Sequence, residues 1–526
     1  MDKALKMGQV SVSGSFRLFL GKVLSSILLA IGSIILGRVM SPSEYGIYAI
    51  ALIPSMTLAL FRDWGITKST TKNISQYRSE HKNENIYNII LVGLLFKTVI
   101  SSVLSLGSLF LASNIATLFF NRPEISSLIS IASLVILFES FIGISQSVFS
   151  GYEKMEYISY NLVCHALIRS IVGPFLVLLG YGAMGAIIGY TFSFIITAIL
   201  GITLLYIKIL KNLKKPKLNF QEKIKTLKEM LSYGFPISIS EILGSFLYQF
   251  YAFLMAFYVN NVLIGNYQIA VNFTVFISFF SYPLVTVLFP AFSKLNPKQE
   301  IQLLRSVFSS AVKYAAIFLV PATMATIVLS IPVIETVYGQ QWVHAPFFLS
   351  LYVLQNFFVL IGGLVIDSFL QGIGETKILL KLSILRLGFG IILSIILIPI
   401  FDIVGVILGT FLAEGLNKIL AAYWLKKTYD AKPEYMSSFK IFISATIVAL
   451  VTHFVLDNLI VASWLKLIIG AGIFLFLYIV LLPVTGAITL SDIKNLKSIF
   501  SNLGIFSKII NIPLTFAKII ASFIHR

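Results

Sequence analysis

Residues 208–231 read Lys-Ile-Leu-Lys-Asn-Leu-Lys-Lys-Pro-Lys-Leu-Asn-Phe-Gln-Glu-Lys-Ile-Lys-Thr-Leu-Lys-Glu-Met-Leu and stand near the middle of the 526-residue chain. Eight of them are lysines and two are glutamates, in a chain that is 57% hydrophobic and only 12% charged. A charged side chain at the centre of a bilayer costs about 2.5–3.5 kcal/mol, so this stretch must lie in water. It therefore divides the chain into two apolar parts.

The apolar parts have the composition of an integral membrane protein. Soluble domains have about 45–50% apolar and about 25% charged residues. Here apolar runs of about 18 to 25 residues recur along the chain, and we count about fourteen. The net charge of +18 is spread over short loops instead of one basic face, which argues against nucleic-acid binding. The fold class is therefore predicted as an all-α polytopic membrane protein with about fourteen transmembrane helices.

The loops between the apolar runs alternate in their content of lysine and arginine. Residues 62–85, 208–231, 291–313 and 426–440 are rich in lysine or in lysine and arginine together, whereas the loops between them have few of these residues. Cytoplasmic loops carry the excess of positive charge. We therefore expect a multi-pass protein of the plasma membrane with both termini in the cytoplasm.

Short motifs of the first half return about 220 residues later. The segment Tyr45-Gly46-Ile-Tyr48 matches Ile264-Gly265-Asn-Tyr267, and Gly185 and Gly189 match Gly405 and Gly409. Repeats of an even number of spans share one orientation in the membrane. The predicted segments are a six-helix bundle at 1–207, a basic cytoplasmic linker at 208–231, a second six-helix bundle at 232–425, two accessory transmembrane helices at 426–489, and an amphipathic cytoplasmic tail at 490–526.

Ionisable residues inside the apolar runs are the candidate functional residues, because such groups are costly in lipid and tend to face a protein interior or a watered cavity. They are Lys22, Lys97, Glu139, Arg169, Glu241, Arg386, Glu414 and Lys418. One interpretation is that they pair with each other and fix helix packing. The other is that Lys22, Arg169 and Arg386 line a cationic cavity for a phosphate, since a guanidinium bonds two oxygens at once.

The acidic candidates Glu241 and Glu414, with Asn417, allow two roles. In the first role, these residues would hold a coupling cation. In the second, Glu414 would form a structural ion pair with Arg386. Sequence motifs for nucleotide hydrolysis and zinc binding are absent from the chain, and its five histidines are scattered. We expect neither an enzyme nor a cofactor, and coupling to Na⁺ or H⁺ stays open.

The first hairpin, Leu36-Gly37-Arg38-Val-Met-Ser41-Pro42-Ser-Glu44-Tyr45-Gly46-Ile-Tyr48-Ala49, and the segments around Gly151 and Gly372 resemble the Wzx-like (RfbX-like) polysaccharide flippases. That family belongs to the superfamily of the MATE exporters and the lipid II flippases. The resemblance implies a twelve-helix core of two six-helix bundles that rock around a central cavity, with two accessory helices. Lipid II flippases hold sodium among helices seven, eleven and twelve; Glu241, Glu414 and Asn417 lie on the matching helices, but Arg386 departs from the expected ligand.

The resemblance also implies a function. Members move oligosaccharides linked to polyprenyl phosphate or pyrophosphate from the cytoplasmic to the outer leaflet by alternating access, for cell-surface polysaccharide or glycoprotein glycan assembly. The expected partners are the lipid-linked oligosaccharide, membrane lipids and glycosyltransferases of the same pathway, with the protein itself a monomer. Two alternatives remain at this point: a cation-coupled MATE-type drug exporter, and a membrane glycan polymerase or transferase.

Overall fold

The structure, a computed structural model, describes residues 2–80, 82–213, 219–277, 288, 292–297, 299–500 and 505–524. Residues 214–218 of the predicted linker and residues 278–287 of the predicted second bundle lie outside these ranges. Within the described ranges every regular element is a helix. The chain forms two compact units, Met1–Gly265 and Asn266–Arg526, which we call unit 1 and unit 2.

In the described part of unit 1, short helical turns accompany eight longer α-helices and the start of a ninth. The longer helices are α1 (Asp2–Val39), α2 (Pro42–Ala59), α3 (Ile66–Ser79), α4 (Asn83–Phe110), α5 (Ser126–Gly151), α6 (Met155–Leu176), α7 (Gly182–Lys208), α8 (Phe220–Tyr258) and α9 (Asn261–Phe273), the last of which crosses the unit boundary. The polar stretch at 208–231 contains a helix start, because its second half forms the first turns of α8. The predicted division into bundles and linker stays a prediction.

Local sequence explains where two of these helices begin. At α2, the Ser41 side chain accepts a hydrogen bond from the Glu44 amide and the Glu44 carboxylate accepts one from the Ser41 amide, with Pro42 at the first helical position. Asn219 and Glu222 form the same capping box at α8. Each box satisfies amide groups that the helix leaves without partners.

Small residues let the helices of unit 1 approach closely. Along α1, a Cβ on Gly21 would lie 2.5 Å from that of Ser159, and one on Gly32 would lie 2.7 Å from that of Ser170. The Ser170 hydroxyl donates to the Leu28 carbonyl at 2.6 Å. Close backbone approach and side-chain hydrogen bonds replace the hydrophobic effect as the source of helix association in lipid. The α1 helix thus packs along α6.

Unit 2 contains the remaining helices. They are α10 (Ile301–Val328), α11 (Ser330–Val337), α12 (Ala345–Tyr352), a 3₁₀ helix (Val353–Ile361), α13 (Ile366–Gly372), α14 (Thr376–Tyr429), α15 (Tyr435–Asp457), α16 (Ser463–Val484), α17 (Leu490–Phe500) and α18 (Ile505–Ile524). Its main core packs Phe308 of α10 against Phe369 of α13, with ring centroids 5.4 Å apart.

The 54-residue segment α14 is a hairpin of two helical arms, because its backbone leaves helical geometry inside the segment. Asp402 has a positive φ of 50° and marks the reversal. Arg386 and Glu414 are 28 positions apart, which is about 42 Å along a straight helix. Their side chains nevertheless lie 2.5 Å apart, so the two arms run side by side.

The α17 helix is held to α10 by an ion pair that is largely buried. Lys313 of α10 lies 2.8 Å from the Asp492 carboxylate and 3.5 Å from that of Glu434. The Thr489 amide and hydroxyl also donate to Asp492. Burial alone would raise the pKa of Asp492, but the hydrogen bonds from Lys313 and Thr489 bring it below its ordinary value.

Nine helices of the described residues are long and apolar enough to cross a membrane, or ten if the bent pair at 345–372 is one span. Two of these nine contain 58 and 54 residues, whereas about 20 suffice to cross the hydrocarbon core. The longer one reverses between Gly180 and Gly182, and the other is the α14 hairpin. The prediction of an all-α, multi-pass membrane protein is confirmed, while the count of fourteen stays a prediction.

Candidate functional site

Unit 1 places one arginine among aromatic side chains. Arg169 of α6 is partly buried, and its guanidinium carbon lies 4.6 Å from the centroid of the Tyr190 ring on α7. A terminal nitrogen of the guanidinium is 3.4 Å from the Tyr48 hydroxyl on α2. Tyr48 packs edge-on against Tyr190, with ring centroids 6.5 Å apart. The cation–π contact and the hydroxyl together orient the guanidinium.

Within the described residues, no ion pair balances the Arg169 charge. Among the residues that the structure describes, no carboxylate lies within ion-pair distance of it. One turn earlier on α6, His165 faces the Ser193 hydroxyl at 3.1 Å, so this neighbour supplies no negative charge. A guanidinium donates from a planar fork that matches phosphate oxygens. The arrangement is suited to holding an anionic group.

Two ion pairs lie beside this arginine in unit 1. Arg62, just beyond α2, bonds the Glu139 carboxylate of α5. Lys97 of α4 is only 2% exposed, and its ammonium lies 2.5 Å from the Asp63 carboxylate and 2.7 Å from the Thr67 hydroxyl. Arg62 and Glu139 are also within electrostatic range of Tyr190. With Arg169, this cluster therefore has three cations and two carboxylates.

Unit 2 pairs its intramembrane charges. Arg386 and Glu414 form the 2.5 Å ion pair between the arms of α14, with side chains 15% and 16% exposed. Lys418, one turn further on, lies 2.7 Å from the Asp367 carboxylate of α13. The ion pair between Glu414 and Arg386 that the sequence left as an alternative is present. If Arg386 is to bind phosphate, its bond to Glu414 must be released or shared.

The other predicted site residues occupy different surroundings. Lys22 is exposed on α1, the helix that packs along the α6 helix of Arg169. Glu241 of α8 lies 3.4 Å from the Lys68 ammonium, and both side chains are more than half exposed. Asn417 is partly buried on the second arm of α14. Their proposed roles, in phosphate binding for Lys22 and in cation coupling for Glu241 and Asn417, stay predictions.

Sequence reasoning did not assign site roles to Arg62, Asp63, Tyr48 or Tyr190. The first two directly follow an apolar run and looked like loop charges. A usable signal existed, because an adjacent Arg-Asp pair at the end of one span offers one partner each for Glu139 and Lys97. Tyr48 stands in the repeated segment and in the first hairpin, and Tyr190 in neither, but no sequence pattern connects either tyrosine with Arg169.

A metal centre is not evident in the described part of the chain. No group of three or more His, Cys, Asp or Glu side chains that suits a metal ion occurs there. The carboxylates predicted for a coupling cation, Glu241 and Glu414, already face Lys68 and Arg386. A cation at either position would compete with a protein cation.

Comparison with known proteins yields one family and several distant relatives. The profile of a family described as "Polysaccharide biosynthesis protein" matches residues 11–296, more than half of the chain. The chain is 22% identical over 427 residues to the probable low-salt glycan biosynthesis flippase Agl15 of Haloferax volcanii, which covers 80% of this chain and 84% of the relative. It is also 22% identical to the lipopolysaccharide biosynthesis protein WzxC of Escherichia coli, over 75% of this chain and 76% of the relative.

The fold also has a counterpart among solved structures. The inward closed conformation of the lipid II flippase MurJ superposes with a TM-score of 0.72 at 18% sequence identity. The superposition covers 89% of this chain and 98% of the other. At this identity the likeness concerns the fold alone.

Proposed function

Because the chain belongs to the polysaccharide biosynthesis family of membrane flippases, we propose that it moves a polyprenyl-(pyro)phosphate-linked oligosaccharide from the cytoplasmic to the outer leaflet. The family is one of transporters rather than enzymes, so the polymerase or transferase alternative is dropped. The observation that supports this cargo most directly is Arg169, a guanidinium oriented by two tyrosines and not balanced by an ion pair in the described part of unit 1. The phosphate of the cargo is the anion that it would hold.

The fold and membrane topology that we propose for this transport are those that the sequence predicts. The chain would cross the membrane fourteen times, as two six-helix bundles and two accessory helices, with both termini in the cytoplasm. It would work as a monomer by alternating access, near the glycosyltransferases that supply its cargo. Its cytoplasmic lysines would contact the anionic inner leaflet.

Flipping by the purified protein tests the role of Arg169. The full chain is reconstituted into liposomes with a lipid-linked oligosaccharide, and a membrane-impermeant lectin measures how fast the glycan reaches the outer leaflet. Arg169→Met should slow this at least tenfold, because one bidentate charged contact is worth about 1.5–3 kcal/mol. Arg169→Lys should retain partial activity, because it keeps the charge but loses the fork.

Arg17→Met is the matched control, because Arg17 is a 59% exposed cation of α1 with a loose 3.6 Å pair to Glu156. This variant should move the lipid-linked oligosaccharide at the wild-type rate. Wild-type flipping by Arg169→Met, with equal insertion of both variants, would refute the phosphate role.

The drug exporter is the second candidate, since it would share the transporter class. A site for cationic drugs needs excess negative charge, whereas the unit 1 cluster has three cations and two carboxylates. Efflux of a cationic dye by the liposomes, together with no glycan flipping, would favour the exporter. Running the same assay in Na⁺, in K⁺ and with a proton gradient tests coupling through Glu241, Glu414 and Asn417.

A further inference from the structure

One span of unit 2 has an irregular backbone. After α12 the chain continues as a nine-residue 3₁₀ helix, Val353–Ile361, and then turns at Gly362, where φ is +93°. The axis bends by 49° before α13. Runs of 3₁₀ helix longer than three or four residues are uncommon. Irregular backbone at membrane depth is tolerated where protein buries it or where it lines a cavity.

This segment lines a cavity inside unit 2. The cavity has a volume of about 240 Å³. Its wall has four side chains that can form hydrogen bonds, those of Thr274, Tyr352, Gln355 and Asn356. Its apolar surface comes from Ile277, Leu319 and Leu364. Tyr352 ends α12 and Gln355 follows three positions later in the 3₁₀ helix, and both reach the cavity. The wall is thus mainly polar.

The chemistry of the wall is neutral. Two amides and two hydroxyls offer both donors and acceptors, and none of the described residues that line the cavity is charged. A phosphate would lack a cation here, and a divalent metal would lack a carboxylate. A polyhydroxylated ring would gain hydrogen bonds from the amides and apolar contact from the leucines.

We propose that this cavity binds a sugar ring of the transported glycan through Gln355, Asn356, Tyr352 and Thr274. The inference rests on the proposed function, because the glycan is part of that cargo. A site built for hydroxyl groups rejects ligands that lack them, since its own polar groups are then left unpaired. The cavity of the broken span therefore selects for the sugar rather than for the lipid phosphate.

The test compares two probes on the full chain in lipid nanodiscs. One probe is the lipid-linked oligosaccharide extracted from the source cells, and the other is the polyprenyl phosphate left after its glycan is removed. Wild type should bind the glycan-bearing probe more tightly. In Gln355→Met and Asn356→Leu this preference should fall about tenfold, with the affinity for polyprenyl phosphate unchanged. Gln371→Met is the matched control, because Gln371 is exposed on α13 and outside the cavity wall.

The outcomes separate this inference from the proposed function. If wild type binds neither probe, the proposed function fails and this inference fails with it. If wild type binds polyprenyl phosphate but both cavity variants keep the full glycan preference, only the cavity assignment is overturned.

A second measurement leaves the two amides intact. Thr274→Cys in a Cys164→Ser background should react with a small maleimide, and the extracted lipid-linked oligosaccharide should slow that reaction. Equal labelling with and without this probe would also overturn the assignment.

Discussion

Breaking the ion pair between Arg386 and Glu414 should destabilise unit 2 unless both charges are removed together. Arg386→Met leaves the Glu414 carboxylate inside the α14 hairpin. Removing one partner of a buried pair costs about 3–5 kcal/mol, and the remaining 15–16% exposure places this pair near the lower value, about 3 kcal/mol. The double variant Arg386→Met/Glu414→Gln leaves no charge behind and should lie within about 1 kcal/mol of wild type.

Thermal unfolding in detergent measures both effects. For a unit of this size, 1 kcal/mol corresponds to about 2–4 °C, so Arg386→Met should lower the apparent Tm by about 6–12 °C. The double variant should recover most of that loss. An equally low Tm in the double variant, or an unchanged Tm in the single one, would refute the reasoning that the pair is a coupled buried contact.

The same double variant separates structure from transport. If Arg386 serves only the hairpin, the stable double variant should flip the lipid-linked oligosaccharide at the wild-type rate. If Arg386 also holds the cargo phosphate, as the sequence predicts, flipping should remain at least tenfold slow despite a recovered Tm, because a charged hydrogen-bonded contact is lost.

Three further predictions use the same preparations. Asp63→Asn should lower the free energy of unfolding by about 3–5 kcal/mol, because it leaves the 2% exposed Lys97 ammonium without its carboxylate. Adding Lys97→Met should restore the apparent Tm, and a double variant as unstable as the single one would contradict this. Gly65→Ala should lower the apparent Tm by more than 4 °C, because φ is +79° at Gly65 and a Cβ would lie 1.9 Å from an α8 carbonyl oxygen. The control Gly107→Ala should leave the apparent Tm unchanged or slightly higher, because no atom lies within 4 Å of a Cβ at that position. The pKa of Asp492 is lowered in the folded state, so the stability that Asp492 contributes is complete above its unfolded pKa near 4 and is lost as the pH falls through its folded pKa. Pepsin should therefore release the C-terminal tail only below about pH 4 in wild type but at higher pH in Asp492→Asn. Identical pH profiles of the two proteins would contradict the role of the ion pair.

The membrane class, the transporter family and the presence of charges within the spans were all readable from the sequence. Hydropathy is a property of consecutive residues, so a run of about 20 apolar residues reveals a span without knowledge of its neighbours. The same is true of the repeated Gly-x-Tyr and Gly-x-x-x-Gly segments. It is also true of the first hairpin, which indicated the family that the comparisons confirmed.

The partners of the charges became visible in the folded chain alone. Arg62 meets Glu139 across 77 positions and Lys418 meets Asp367 across 51, and such distances depend on which helix faces pack together. The sequence predicts the same phosphate-binding role for Arg169 and Arg386. In the folded chain, however, Arg386 pairs with the Glu414 carboxylate inside the α14 hairpin, whereas Arg169 on α6 contacts two tyrosines.

The polar stretch at 208–231 and the broken span show the same limit. Apolar patterning predicts that a segment crosses the membrane but not that nine of its residues form a 3₁₀ helix, because that geometry arises from packing against the rest of unit 2. Likewise, the lysines place residues 208–231 in water, while the Asn219 capping box begins α8 within them. Polarity is local and is therefore encoded residue by residue, whereas contacts, breaks and cavities depend on helices that meet only after folding.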